Sequence, residues 1–203
     1  MKRYTVKIVD DASEIENAEK LYVSEYKEGT PGYEPLTSAQ LVYVKDKGFL
    51  CRMESEETDL RATVTEFDGD TYKDSCLEFF VNFAPERGDE YINLEGNPLG
   101  TLHCKYGKDR YVRNPLSSYG CTVVPQTTVL HPEVGWGLEY FIPMELIRVM
   151  FGKDSFKKGD ILRANFYKCG DLTVHPHGGM WSVVEDVSLD FHKPEFFGEL
   201  ILD

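Results

Sequence analysis

The sequence reads Tyr91-Ile92-Asn93-Leu94-Glu95-Gly96-Asn97 near its midpoint, and apolar and polar residues alternate there. Successive side chains of a β-strand point to opposite faces, so Ile92 and Leu94 lie on one face and the odd-numbered residues on the other. The upstream stretch Leu77-Glu78-Phe79-Phe80-Val81-Asn82-Phe83 has the same period. The two segments predict a sheet with its back on a hydrophobic core and a polar front.

A third strand extends the predicted polar face. In Ile161-Leu162-Arg163-Ala164-Asn165-Phe166-Tyr167 the polar face is formed by Arg163, Asn165 and Tyr167. If these strands share a sheet with 137–142, one face gathers the side chains of Glu78, Glu95, Glu139, Arg163, Asn93, Asn97 and Asn165. Carboxylates, amides and aromatic rings together suit a hydroxyl-rich, uncharged ligand such as a sugar. The alternative is a solvated or self-paired face that only sets the register of the sheet.

The remaining patterns predict one all-β domain over residues 1–203, an antiparallel β-sandwich with two short helices. Predicted strands cover 4–9, 41–45, 48–53, 60–66, 76–83, 91–97, 101–105, 137–142, 161–167 and 199–202. One helix is predicted after a capping box at Ser13–Glu16. The other begins at Pro143 and ends at Gly152.

Charge and cysteine usage narrow the class of protein. The 203 residues include 22 Lys and Arg against 35 Asp and Glu, a formal charge of −13. This balance argues against nucleic acid or an anionic membrane as partner. The five cysteines are odd in number and widely spaced, which favours reduced thiols in a cytoplasmic protein. Met1–Val9 lacks the apolar region of a signal peptide, and export within a longer precursor is the alternative.

The order of the motifs resembles that of family 9 carbohydrate-binding modules. The resemblance covers about Leu60 to Leu202 and depends on order and spacing more than on any single motif. The segments that carry it are Tyr72–Val81, Tyr91–Asn97, Gly137–Pro143, Ile161–Phe166, Trp181-Ser182 and Phe191–Leu200.

The resemblance implies a β-sandwich that grips a terminal sugar ring between two aromatic side chains, with calcium in a structural role. Carried over by position, the first aromatic residue falls at or beside Tyr72, the carboxylate at Glu78 and the second aromatic, a Trp in the family, at Phe191. A family arginine falls near Asn93, where this chain has no guanidinium, and Arg163 is the candidate that supplies one.

The predicted site therefore combines the polar face with the family positions. Trp181 is added because it lies close to Phe191 in the sequence. The predicted ligand-binding residues are Tyr72, Glu78, Asn93, Glu95, Arg163, Asn165, Trp181 and Phe191.

A possible calcium loop lies just before the predicted strand at 76–83. Asp68, Asp70 and Asp74 are spaced so that hard oxygen ligands could converge, and the alternative is a solvated acidic turn. Calcium in a structural role is what the resemblance implies, and binding itself needs no cofactor.

The sequence thus predicts non-catalytic binding of a mono- or oligosaccharide. Three alternatives stay open at this point. The first is a cytoplasmic interaction domain that kept the fold without the sugar. The second is a metal-dependent enzyme that uses His175 and His177. The third is a glycoside hydrolase that uses Glu78 and Glu95.

Overall fold

Fourteen β-strands, one α-helix and short 3-10 turns make up the computed structural model, which describes residues 1–185 and 190–203. In chain order the strands are β1 (Arg3–Val9), β2 (Leu21–Val23), β3 (Glu25–Gly29), β4 (Thr37–Val44), β5 (Gly48–Ser55), β6 (Cys76–Asn82), β7 (Tyr91–Gly96), β8 (Leu102–Gly107), β9 (Arg113–Pro115), β10 (Gln126–Leu130), β11 (Trp136–Pro143), β12 (Ile161–Cys169), β13 (His177–Met180) and β14 (Gly198–Leu202). The helix α1 spans Met144–Phe151, and the 3-10 turns span Ala12–Asn17, Thr71–Lys73, Leu116–Tyr119 and Pro194–Phe196. No helix among these residues is long and apolar enough to cross a membrane.

One hydrogen-bonded path connects most strands, in the order β10-β11-β5-β4-β1-β14-β12-β6-β7-β8-β9, while β2 pairs with β4, β13 with β12 and β3 with β13. The mostly-β prediction is confirmed, but the sheet is mixed rather than purely antiparallel. Residues 3–6 of β1 run parallel to β14, and residues 7–9 run parallel to β4. Because β1 and β14 lie at opposite ends of the chain, no hairpin forces them to be antiparallel.

The path curls so that its two halves share one hydrophobic core. Side chains of β4, β5 and β11 pack there with side chains of β6 and β12. Tyr140 of β11 donates its hydroxyl hydrogen to the carbonyl oxygen of Leu77 in β6 at 2.6 Å. A Cβ at Gly96 would collide with the Tyr140 hydroxyl, so only glycine allows this close approach. The apolar faces predicted from the alternation are therefore the core faces.

The helix signals gave one confirmed and one corrected prediction. The helix α1 follows Pro143 and ends at Gly152, whose φ of 65° is the left-handed conformation that glycine adopts easily. The turn at 12–17 is a 3-10 helix, and its capping box is formed by Asp11 and Glu14 rather than by Ser13 and Glu16.

The predicted strand at 60–66 is wrong, because its backbone groups pair with side chains instead of a neighbouring strand. The backbone N–H groups of Thr63 and Val64 both donate to Asp74 Oδ2 at 2.8 Å. The backbone N–H of Arg61 donates to the Ser75 hydroxyl at 3.1 Å. A carboxylate and a hydroxyl thus satisfy the donors that a strand would give to its ladder.

A second, smaller cluster of apolar side chains covers the outer face of β6, β7 and β12. Its members are Cys76, Phe80, Tyr91, Tyr167, Cys169, Met180, Val184, Phe191 and Phe197. The front of the sheet is consequently not a solvated polar surface. Aromatic rings cover one part of it and leave the remainder as a walled depression.

All five cysteines are buried and free. We expect denatured protein to react with a thiol reagent at five positions, and prior reduction to add none. Titration of the denatured chain before and after reduction measures this directly. A protected pair that appears only after reduction would contradict both the free thiols and the predicted cytoplasmic location, which otherwise stays a prediction.

Candidate functional site

A pocket of about 320 Å³ opens on the outer face of the sheet, beside the second apolar cluster. Its floor comes from β6, β7 and β12, and its walls come from the turn at 71–73, the segment around β9 and the chain before β14. The residues that line it are Tyr72, Glu78, Glu95, Arg110, Arg113, Cys169, Asp171, His177, Phe191 and His192. Four of the eight predicted ligand-binding residues are among them: Tyr72, Glu78, Glu95 and Phe191.

Two buried carboxyl groups form the floor of this pocket. Glu78 and Glu95 lie directly opposite each other on β6 and β7, as their parity predicted. The Glu95 carboxylate accepts a hydrogen bond from Asn93 Nδ2 at 2.9 Å and lies 3.3 Å from Arg113 Nη1. Glu95 is therefore fixed in place by an amide and a cation.

Glu78 has a different environment. It accepts a hydrogen bond from the Cys169 thiol, with Oε1 and Sγ 2.8 Å apart. Burial, and then repulsion from the negative charge of Glu95, raise the pKa of the Glu78 carboxyl well above its usual range. Arg113 thus pairs with one floor carboxyl, while the other accepts from a thiol and lines the pocket where a ligand can reach it.

The guanidinium beside the floor of the pocket belongs to Arg113, whereas Arg163 was the residue expected to supply it. Arg113 begins the short strand β9, and its largely buried side chain reaches Glu95 from the sheet edge. Arg163 does lie on the same face of the sheet, but it faces Asn82 on β6. It precedes Tyr167, the residue opposite Glu78, by four positions, or about 13 Å along the strand.

Two aromatic side chains wall the pocket. The carbonyl of Tyr72 accepts a hydrogen bond from the backbone of Asp171 at 3.1 Å, which ties the turn at 71–73 to the rim. The Phe191 ring stacks on Tyr167 with centroids 4.1 Å apart and is 8% exposed. Phe191 therefore belongs both to the pocket wall and to the packing of the outer cluster.

His192 completes the wall as a neutral ring. Its Nδ1 lies 2.7 Å from the Tyr91 hydroxyl, and the imidazole stacks on Phe80. Burial first, and then the positive charges of Arg113 and Arg110, lower the pKa of His192 to about 2. The imidazole consequently offers hydrogen bonding without charge.

Trp181 does not line the pocket. Met180 belongs to the outer cluster, so the alternation of the chain turns the next residue to the core side. The Trp181 ring is buried there and packs edge-on against Phe166 at 5.6 Å. Proximity in sequence to Phe191 was therefore a misleading guide to this residue.

The amides predicted on the polar face support the site rather than line it. Asn93 donates a hydrogen bond to the Glu95 carboxylate and so fixes its orientation. Asn165 exchanges two hydrogen bonds with the backbone of Ser182, both at 2.8 Å, and thereby fixes that segment on the sheet. Asn97 accepts hydrogen bonds from Leu99 and Thr101 and so shapes a turn.

Glu139 lies outside this face altogether. It belongs to β11, in the other half of the curled sheet, and pairs there with Arg52 at 2.7 Å. The strand at 137–142 was predicted correctly, but the sheet neighbours expected for it were wrong.

The three aspartates of the predicted calcium loop each have protein partners. Asp74 is buried and accepts hydrogen bonds from Thr63, Val64 and Asn97. Asp70 pairs with Lys73 at 2.7 Å, and Asp68 accepts from the backbone of Cys104. Their oxygens form no three-ligand cluster within the described residues. Calcium at Asp68, Asp70 and Asp74 therefore stays a prediction.

The two histidines considered as metal ligands contact each other, through the ring of one and the backbone carbonyl of the other. His177 Nδ1 lies 2.6 Å from the carbonyl oxygen of His175. His177 begins β13, which is absent from the strands predicted from the sequence. Burial and then the charge of Lys168 lower the pKa of His177 to about 4.

Six pocket residues were not predicted as ligand-binding: Arg110, Arg113, Cys169, Asp171, His177 and His192. One signal for the arginines existed, since Lys108-Asp109-Arg110-Tyr111-Val112-Arg113 concentrates cations in an acidic chain. The other four carry no local pattern. They lie at the end of β12, at the start of β13 and in the segments after β12 and before β14, and the packing of these segments brings them to the pocket.

Comparison with known proteins places these features in a family. The model of carbohydrate-binding family 9 matches residues 8–202. A protein from Bacteroides uniformis ATCC 8492 with a proposed carbohydrate-binding role is 25% identical, with a TM-score of 0.80 over 100% of this chain and 99% of that one. No curated protein matches the chain.

Two further solved structures share the fold. Both are family 9 carbohydrate-binding modules from Caldicellulosiruptor kristjanssonii, one in complex with cellotriose and one with glucose, and both superpose with a TM-score of 0.71. The first is 13% identical and aligns 100% of this chain with 94% of that one. The second is 14% identical and aligns 100% with 96%.

Proposed function

This chain belongs to carbohydrate-binding family 9, whose members bind sugars without catalysis, and we propose that its sugar site is the pocket floored by Glu78 and Glu95. The observation that carries this proposal is the presence of Tyr72, Phe191, Arg113 and both carboxyl groups in one pocket. A sugar ring needs that combination, since its CH face is apolar and its edge carries hydroxyls.

Each part of the proposed pocket has a physical role. The CH face of a pyranose packs on the Tyr72 and Phe191 rings, as apolar surface packs on aromatic rings elsewhere. Arg113 donates to ring or hydroxyl oxygens, and Glu78 accepts from hydroxyl groups. The buried polar groups reject a ligand without matching hydroxyls, because they would then be left unpaired.

The bound sugars of the Caldicellulosiruptor modules suggest which ligands to test first. Glucose and cello-oligosaccharides are the proposed starting set. The pocket suits one terminal ring, and its rim at Arg110 and His192 continues into a second depression. An oligosaccharide therefore has room to extend from the pocket.

The two carboxyl groups are arranged for binding rather than for hydrolysis. Glu78 and Glu95 project from adjacent strands of one floor, on the same side of any ring that occupies the pocket. Hydrolysis of a glycosidic bond needs two carboxyl groups that flank it. Both groups instead form hydrogen bonds with hydroxyls on the side of the ring that faces the floor of the pocket.

We also propose that the two halves of the curled sheet are the layers of a β-sandwich joined through β1. The shared core and the hydrogen bond from Tyr140 to Leu77 support this arrangement. The pocket then lies on the outer face of one layer, away from the layer that contains β4, β5 and β11.

Calorimetric titration with glucose and cello-oligosaccharides tests the proposed function. We expect a dissociation constant of roughly 10 µM to 1 mM, about 4–7 kcal/mol of binding free energy. Tyr72→Ala should weaken binding by about tenfold, because one ring contact is worth about 1–2 kcal/mol. Its melting temperature should change little, since Tyr72 is only partly buried.

The matched control is Tyr22→Ala, which removes a tyrosine that is 46% exposed on β2, outside the pocket. It should bind like the unaltered protein. Phe191→Ala is a poorer test, because loss of its stacking on Tyr167 should also lower stability. No heat from any sugar at about 10 mM, or full affinity in Tyr72→Ala, would contradict the proposed site.

A further inference from the structure

We propose that Cys76, Cys169 and Glu78 form a binding site for a thiophilic divalent metal ion, of which Zn²⁺ is the natural example, at the floor of the pocket. Their ligand atoms, two sulfurs and a carboxylate oxygen, lie within 4.8 Å of one another. No other three His, Cys, Asp or Glu side chains among residues 1–185 and 190–203 bring their ligand atoms this close together.

The sheet itself creates this convergence. Cys76 and Cys169 are directly opposite each other on β6 and β12, and Glu78 lies two residues along β6 on the same face. All three side chains rise from hydrogen-bonded strands, so their backbone positions are fixed. Cys169 Sγ already lies 2.8 Å from Glu78 Oε1.

The distances match what zinc requires. Zn–S bonds of about 2.3 Å and Zn–O bonds of about 2.0–2.2 Å place the ligand atoms of a tetrahedral site about 3.3–3.8 Å apart. Separations of 2.8 Å and of up to 4.8 Å change by about 1 Å to reach that spacing.

The ligand set also selects the kind of metal. Two thiolates favour zinc and similar soft ions over calcium and magnesium, which prefer oxygen. Glu78 and Cys169 line the pocket, while Cys76 is fully buried behind them. An ion can therefore enter from the pocket, and its fourth coordination position faces the pocket, where a water molecule or a ligand hydroxyl fits.

Cobalt is the probe for this site, because Co²⁺ bound to thiolates absorbs in the near ultraviolet through charge transfer. Fully reduced protein without sugar should take up one Co²⁺ per chain with this absorption, and added Zn²⁺ should abolish it. Cys76→Ser and Cys169→Ser should each weaken zinc binding by at least about 100-fold, since loss of an outer-shell partner alone costs about 10–100-fold.

Cys104→Ser is the matched control, because Cys104 is equally buried but packs in the main core. It should keep the cobalt spectrum. If either pocket serine variant fails to fold, Glu78→Gln keeps both thiols and nearly the same volume, and it should keep the thiolate absorption with weaker affinity. Absence of the absorption in the unaltered protein, or its retention in a folded Cys76→Ser/Cys169→Ser double variant, would overturn the proposal. Because no sugar is present, failure here leaves the sugar site untouched.

Discussion

Lys168→Met is expected to lower the free energy of unfolding by about 3–5 kcal/mol. The side chains of Lys168 and Glu57 are both fully buried, and Nζ lies 2.9 Å from Glu57 Oε2. The same carboxylate oxygen accepts a hydrogen bond from Trp136 Nε1 at 3.2 Å. Removal of the ammonium leaves the Glu57 charge buried with too little compensation.

Thermal and urea unfolding measure this loss. For a chain of this size, about 2–4 °C of melting temperature per kcal/mol corresponds to a drop of roughly 6–20 °C. Lys20→Met is the matched control: its pair with Glu54 has the similar distance of 3.0 Å, but the two side chains are 43% and 30% exposed. It should cost less than about 1 kcal/mol.

A double variant separates the lost pair from lost packing. Lys168→Met combined with Glu57→Gln leaves no unpaired charge, so it should recover part of the stability that the single variant loses. A loss below about 1 kcal/mol in Lys168→Met would show that water reaches this pair and that its burial is incomplete.

Glu78→Gln is expected to weaken sugar binding by about 5- to 150-fold. The amide cannot accept at both of its terminal atoms, so a sugar hydroxyl that donates to Glu78 is left unpaired, which costs about 1–3 kcal/mol. Calorimetry with the best glucose-type ligand measures the change. Glu145→Gln, on the exposed side of α1, is the control and should leave affinity unchanged.

The same variant should have the opposite effect on stability at high pH. Burial and the charge of Glu95 raise the pKa of Glu78 above its usual range in the folded state. The unfolded chain therefore releases this proton at a lower pH than the folded one, and folding loses stability as the pH rises through that interval. Glutamine has no proton to release, so Glu78→Gln should gain stability relative to the unaltered protein at about pH 8 and gain little at about pH 4.

Urea unfolding at both pH values checks this sign. An equal difference in stability at the two values would mean that Glu78 keeps an ordinary pKa. The expected combination, weaker binding with higher stability, is typical of a functional group that is costly to bury.

Local patterns gave the parts of the fold that depend on neighbours in sequence. Alternation placed Glu78 and Glu95 on one face, and a proline and a glycine bounded α1. The order of motifs gave the family, which the match over residues 8–202 confirms. The segment 60–66 failed because the Asp74 carboxylate, not a strand, satisfies its backbone donors.

The tertiary structure was needed to show how far along its strand each side chain lies and which residue of the neighbouring strand is opposite it. A period of two tells which face a side chain occupies, but not which residue of another strand lies opposite it. Arg163 therefore has the right face and the wrong position, while Arg113 reaches Glu95 from an edge strand that the pattern did not predict. Lys168, with the parity of the core face, is tolerated there only because Glu57 arrives from a distant segment. Local patterns were sufficient for nine of the fourteen described strands, for the faces of their side chains and for the family. Long-range pairing decided which of those side chains meet in the pocket, because contacts between distant segments leave no periodic trace in either segment.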